Sequence, residues 1–156
     1  MRKTRLPFGS PVEAIVYPTL LLIVMWLVFW AEHLFLFPFQ KLGVLPRTLE
    51  GLKGIVFMPF IHSDREIQHI FNNSVPIFIL LAALIYFYRS IALRVFVISW
   101  LMTGFLVWIY AENKGAYHIG MSGVIYALAG FLFASGVLRK YLPLQGISLF
   151  VVFVYG

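Results

Sequence analysis

The sequence predicts an all-α bundle of membrane-spanning helices, and three observations carry that prediction. The 156 residues are 62% hydrophobic and only 12% charged, against roughly 25% charged in ordinary soluble domains. The mean hydropathy is +0.92. The apolar residues also fall into runs of about 20, the length a helix needs to cross a hydrocarbon core of about 30 Å. In that core every backbone polar group must find a partner inside its own segment, which selects helices over open sheets.

The basic stretch Met1-Arg-Lys-Thr-Arg5 precedes the first run, Ala14–Leu36. The apolar region from Val12 to Phe37 is too long for a signal-peptide core and lacks a small-residue cleavage site, so it reads as a retained span. Further spans are expected at His69–Tyr88, Ala92–Ala111 and Met121–Leu138. A fifth run begins at Leu142 and reaches Gly156 without a polar flank or a cap, so five spans are visible and the fifth is expected to be partial. The chain is therefore expected to be one domain, incomplete at its C-terminus.

Residues 37–68 form a loop too long for a connector and too apolar for disorder. Leu45, Leu49 and Leu52 recur at helical spacing, which predicts a short amphipathic helix before Pro59 with its apolar face in the interface.

The net charge of +6 is distributed unevenly. Loops on one side hold Arg2, Lys3, Arg5, Arg89, Arg94, Arg139 and Lys140 against Glu13. On the other side, Lys41, Arg47, Lys53, Arg65 and Lys114 balance Glu32, Glu50, Asp64, Glu66 and Glu112. The positive-inside rule puts the N-terminus in the cytoplasm and the 37–68 and 112–120 loops outside. The basic balance thus reports topology; no aromatic-interleaved basic patch points to nucleic acid. With no cysteine, a disulfide framework, a Cys-ligated zinc and a thiol nucleophile are all excluded.

The chemistry-bearing residues are polar groups placed where lipid makes them costly. His69 and Asn73 are four apart and share a helix face one turn apart in depth, while Asn72 is expected to face elsewhere. The fourth span runs in the same direction as the second, so Ser122, within Gly120-Met121-Ser122-Gly123, falls at a similar depth. A hydroxyl between glycines at a helix mouth is a packing or kink motif in many proteins. An activating base would make it a nucleophile inside the membrane. Tyr126 lies one turn deeper on the serine's face and can wall a pocket. Gly123, Ala127, Gly130 and Ala134 predict a small-residue seam and a crowded central helix. Glu32 and His33 read as interfacial, and Arg47 as a loop anchor bonded to carbonyls.

Together, Gly120-x-Ser122-Gly123 with Tyr126 and the earlier His69-x3-Asn73 resemble the rhomboid intramembrane serine proteases. The resemblance includes the order of elements and an outer loop, Pro46-Arg47 to Gly54 and Pro59-Phe-Ile-His62-x-Asp64, similar to that of bacterial rhomboids. It implies six helices when complete and a serine-type endopeptidase that cuts transmembrane or juxtamembrane segments of membrane proteins. Ser122 would be the nucleophile. His69, Asn73 and the Ser122 backbone N–H would form the oxyanion hole, supported by Tyr126, Gly120 and Gly123. No cofactor or metal is implied, the partners are transmembrane substrates and the bilayer, and the expected location is the bacterial cytoplasmic membrane with the site toward its outer face.

The family pattern also requires a histidine base after the serine. The four histidines are His33, His62, His69 and His118, and none follows Ser122. The base is therefore expected beyond residue 156, leaving this piece inactive alone; His118, four residues before the serine, is the less favoured substitute. Two other readings stay open: a rhomboid-like protein that binds transmembrane clients without cutting them, and a small transporter, which predicts an inverted repeat that the length does not show.

Overall fold

A computed structural model describes residues 9–35, 37–62 and 67–155. The basic residues Arg2, Lys3 and Arg5, together with Asp64, Arg65, Glu66 and Gly156, lie outside the described residues. The chain forms an all-helical bundle. Its elements are α1 (Pro11–Phe35), α2 (Gly54–Phe57), α3 (Ile67–Tyr88), α4 (Ala92–Tyr110), α5 (Ser122–Leu138) and α6 (Leu142–Tyr155), with 3-10 turns at Phe39–Leu42, Glu50–Lys53 and Met58–Phe60. Helices α1, α3 and α4 are long and apolar enough to cross a membrane, while α5 and α6 are shorter apolar helices. The chain is an integral membrane protein.

α3 and α5 are the most buried helices, and α5 packs against α3, α4 and α6, as a central helix must. Ile77, Leu80 and Leu84 of α3 meet Val124, Leu128 and Leu132 of α5 in one apolar core, to which α1 adds Met25 and Phe29. α1 is also tied to α3 by the Trp26 indole N–H, which donates to Ser74 Oγ at 3.1 Å. The two central helices run the same way. Their C-terminal ends are joined by a hydrogen bond between the hydroxyls of Tyr88 and Ser135, and the Arg139 guanidinium lies 4.7 Å above the Tyr88 ring.

The 37–62 loop folds back on the bundle as short helical turns. Leu45 and Leu49 precede the turn that begins at Glu50, so the apolar spacing does not lie on one continuous helix as the sequence predicts. Leu49, Leu52, Val56 and Phe57 nonetheless point outward, an apolar rim suited to the membrane interface. Polar anchors hold the loop. Arg47, at φ 57°, gives two guanidinium N–H bonds to the Ile109 and Ala111 carbonyls, at 3.0 and 2.9 Å. These acceptors are end-of-helix carbonyls with no partner inside α4. The Trp108 and Trp100 indoles donate to the Thr48 and Val56 carbonyls, and Asn113 donates to the Pro46 carbonyl.

Glu32, near the C-terminal end of α1, is buried, and its Oε1 accepts the Gln40 backbone N–H at 3.3 Å. His33 stacks edge-on against Trp30.

Candidate active site

The site is assembled where the loop, the start of α3 and the start of α5 meet. Val44 and His118 exchange both backbone hydrogen bonds, at 2.9 and 2.8 Å, in an isolated antiparallel bridge. Two residues on, the Gly120 N–H donates to the Met58 carbonyl at 2.9 Å. The chain then turns through Gly120 at φ +104°, a conformation in which an L side chain is strained. Close approach gives a second reason for glycine here. A Cβ would stand 2.9 Å from His69 Nε2 and 3.3 Å from its Cε1.

Helix α5 opens directly after this turn, with Met121 fully buried as its anchor and Ser122 as its first residue. The Ser122 backbone N–H lies in the first turn, where helical N–H groups have no partner within the helix and the dipole favours negative charge. Its side chain is exposed on the bundle surface. Gly123 permits α5 to meet α4: a Cβ there would stand 2.3 Å from Thr103 Cγ2. The predicted small-residue seam does not continue from there. Gly130 has open space beyond its Cα and Ala134 is exposed, so close helix contact is required at Gly123 and not at these two positions.

Asn73 is nearly fully buried, and its Nδ2 donates to the His69 carbonyl at 2.8 Å across one turn of α3. Its Oδ1 has no hydrogen-bond partner among the described residues. An amide nitrogen carries two N–H donors, so one remains after the His69 bond. Asn73, Ser122 and Tyr126 line one cavity of about 80 Å³, walled on the far side by Val151, Val152 and Tyr155 of α6. Asn72, expected to face away, is also on this wall, as is Pro76. Pro76 has no N–H to return to the Asn72 carbonyl, so the helix carries an unfilled acceptor beside the cavity.

His62 is the participant that residue spacing did not single out. It is fully buried, its ring meets that of His69 edge-on at 5.2 Å, and neither ring nitrogen has a hydrogen-bond partner among the described residues. Burial, and then the neighbouring His69, lower its pKa to about 4; the Phe60 backbone opposes the shift without reaching hydrogen-bond geometry. His62 is thus a neutral ring packed behind His69. His118 uses its backbone in the bridge to Val44 and lies across the Gly120 turn from the serine.

Fold and site define an integral membrane helical bundle with a small cavity near one end of its central helix, into which Asn72, Asn73, Ser122 and Tyr126 bring polar groups. Residues 50–156 match the Rhomboid domain, and the chain belongs to the rhomboid family, a family of intramembrane proteases. An uncharacterized protein of Mycobacterium tuberculosis is 33% identical over 125 residues, covering 73% of this chain and 48% of its own length, as is an uncharacterized protein of Mycobacterium bovis. The chain spans about half the length of these curated relatives. No solved structure gives a significant match.

Proposed function

We propose that the protein is an intramembrane serine endopeptidase in which Ser122 is the nucleophile. The observation that carries this reading is the sharing of one small cavity by Ser122, Asn73 and Tyr126, with His69 Nε2 set against the Gly120 turn one residue pair upstream. Ser122 Oγ attacks the carbonyl carbon of a peptide bond in or beside a substrate's transmembrane segment. The oxyanion that forms accepts hydrogen bonds from His69, from the second N–H of Asn73 and from the Ser122 backbone N–H. Each preorganised donor of this kind is typically worth about 3–4 kcal/mol in the transition state. The proton of Ser122 passes to a histidine, which later returns it to the leaving amine.

That histidine is proposed on a helix following α6. His69 is assigned to the oxyanion, the His62 ring packs against it, and His118 precedes the Gly120 turn with its backbone bridged to Val44, so the base is proposed elsewhere. Ser122, Tyr126, Gly130 and Ala134 leave one side of α5 exposed, and Gly130 with open space beside it offers close approach to another helix. The membrane orientation proposed from the charge balance puts the cavity toward the outer face, from which water for deacylation would enter. A second reading is a rhomboid-like protein that binds transmembrane clients without cleaving them.

Labelling of the natural protein in its own membranes with a fluorophosphonate decides between them. Labelling that disappears in Ser122→Ala supports the protease; an unlabelled but folded protein supports the client-binding reading.

A further inference from the structure

At the end of the bundle opposite Ser122, α1, α3 and α4 line a cavity of about 480 Å³. Its walls are apolar, formed chiefly by Leu21, Leu81, Ile85 and Phe96. Along α3 it extends from Leu81 to Arg89, about 12 Å of helix axis, a depth suited to a stretch of acyl chain. Its rim is not apolar. Arg89 and Glu13 both line it, and the guanidinium donates to Glu13 Oε1 at 2.7 Å. The cavity opens outward, since Tyr17 and Leu93 on its margin are more than half exposed.

This arrangement joins an apolar slot on a membrane-facing surface to a rim carrying one positive and one negative group. A detached soluble anion would match only Arg89 and would leave the apolar walls bare. A phospholipid matches both parts. Its acyl chain covers Leu81, Ile85 and Phe96, and its phosphate meets a guanidinium that has five N–H donors and uses one of them on Glu13. The carboxylate then distinguishes headgroups. A primary ammonium can hydrogen-bond to Glu13, a quaternary ammonium cannot, and an anionic headgroup without an amine meets the carboxylate as a like charge.

We propose that this cavity is a binding site for a zwitterionic phospholipid with a primary ammonium headgroup, its phosphate on Arg89, its ammonium on Glu13 and one acyl chain between α1, α3 and α4. The site is distinct from the Ser122 cavity and independent of whether the protein cleaves peptides.

The test is native mass spectrometry of the natural protein in detergent with equimolar phosphatidylethanolamine, phosphatidylcholine and phosphatidylglycerol of matched chains. The expected result is preferential retention of phosphatidylethanolamine. Glu13→Gln should reduce that preference about tenfold, the effect of removing a charge-assisted hydrogen bond, and Arg89→Gln should lower retention of all three lipids. Because loss of the ion pair could disturb folding, Leu93→Trp gives a second route. It fills the cavity from an exposed position with the pair intact, and it should abolish retention while the melting profile in lipid-free detergent stays unchanged. Equal retention of the three lipids, preference for phosphatidylglycerol, or retention unaffected by Leu93→Trp would each overturn the proposal.

Discussion

His69 Nε2 lies 2.9 Å from the point where a side chain at position 120 would begin, so the imidazole fills the space that a Cβ at Gly120 would need. The relationship joins the start of α3 to the start of α5 and places the imidazole beside the turn that presents Ser122. It also explains why the turn needs glycine twice over, for its positive φ and for its missing Cβ.

Gly120→Ala should therefore be costly. Strain at a positive φ is worth about 1–3 kcal/mol in a non-glycine residue, and the methyl group must also push His69 aside. The expected outcome is a lower melting temperature in detergent together with loss of fluorophosphonate reactivity. Wild-type reactivity in Gly120→Ala would show that the His69 position has no bearing on Ser122.

Asn73→Ala should lower the turnover rate by roughly 10²–10³ with little change in substrate affinity, because an oxyanion donor acts in the transition state. Steady-state cleavage of a transmembrane reporter by the natural protein measures it. An unchanged rate would reduce Asn73 to its bond with the His69 carbonyl.

Removing the loop anchor should separate fold from chemistry. Arg47→Ala loses two charged hydrogen bonds to the end of α4, each of a kind worth about 1.5–3 kcal/mol. Limited proteolysis should then cut the 37–62 loop faster than in the wild type, and Arg47→Lys, whose ammonium can serve both carbonyls from one nitrogen as Nη1 does, should restore part of the protection.

His62 makes stability depend on pH in a defined window. Its folded pKa, about 4, lies below the unfolded value of about 6.5, so between these values the unfolded chain binds the extra proton. Stability therefore falls as pH is lowered from about 6.5 to about 4, by an amount of order 3 kcal/mol if the group acts alone. Thermal unfolding across that range checks it, and His62→Phe should flatten the dependence.

Much of this architecture was legible in the sequence because membrane insertion writes helices as long apolar runs and makes buried polar residues conspicuous. The four-residue spacing of His69 and Asn73 puts them on one face of α3, and the glycines around Ser122 mark the mouth of α5. Other features depend on contacts that no periodicity encodes. His62 meets His69 ring to ring although the two are seven apart and His62 lies outside α3. Asn72 joins the cavity wall although it is adjacent in sequence to Asn73. Glu32 is buried because the chain leaving α1 folds back to give it the Gln40 N–H. The small-residue pattern of α5 predicted a continuous seam, but of its two glycines Gly123 is pressed against a neighbour and Gly130 is not. Gly130 looks the same in sequence and faces open space, since residue size records what could approach and not what does.

The most direct test of the central claim is fluorophosphonate labelling of the natural protein in native membranes, with Ser122→Ala beside it. The account predicts a labelled band in the wild type and none in the variant at equal expression. A folded wild-type protein that takes no label, or a variant that labels as strongly as the wild type, would contradict Ser122 as the nucleophile.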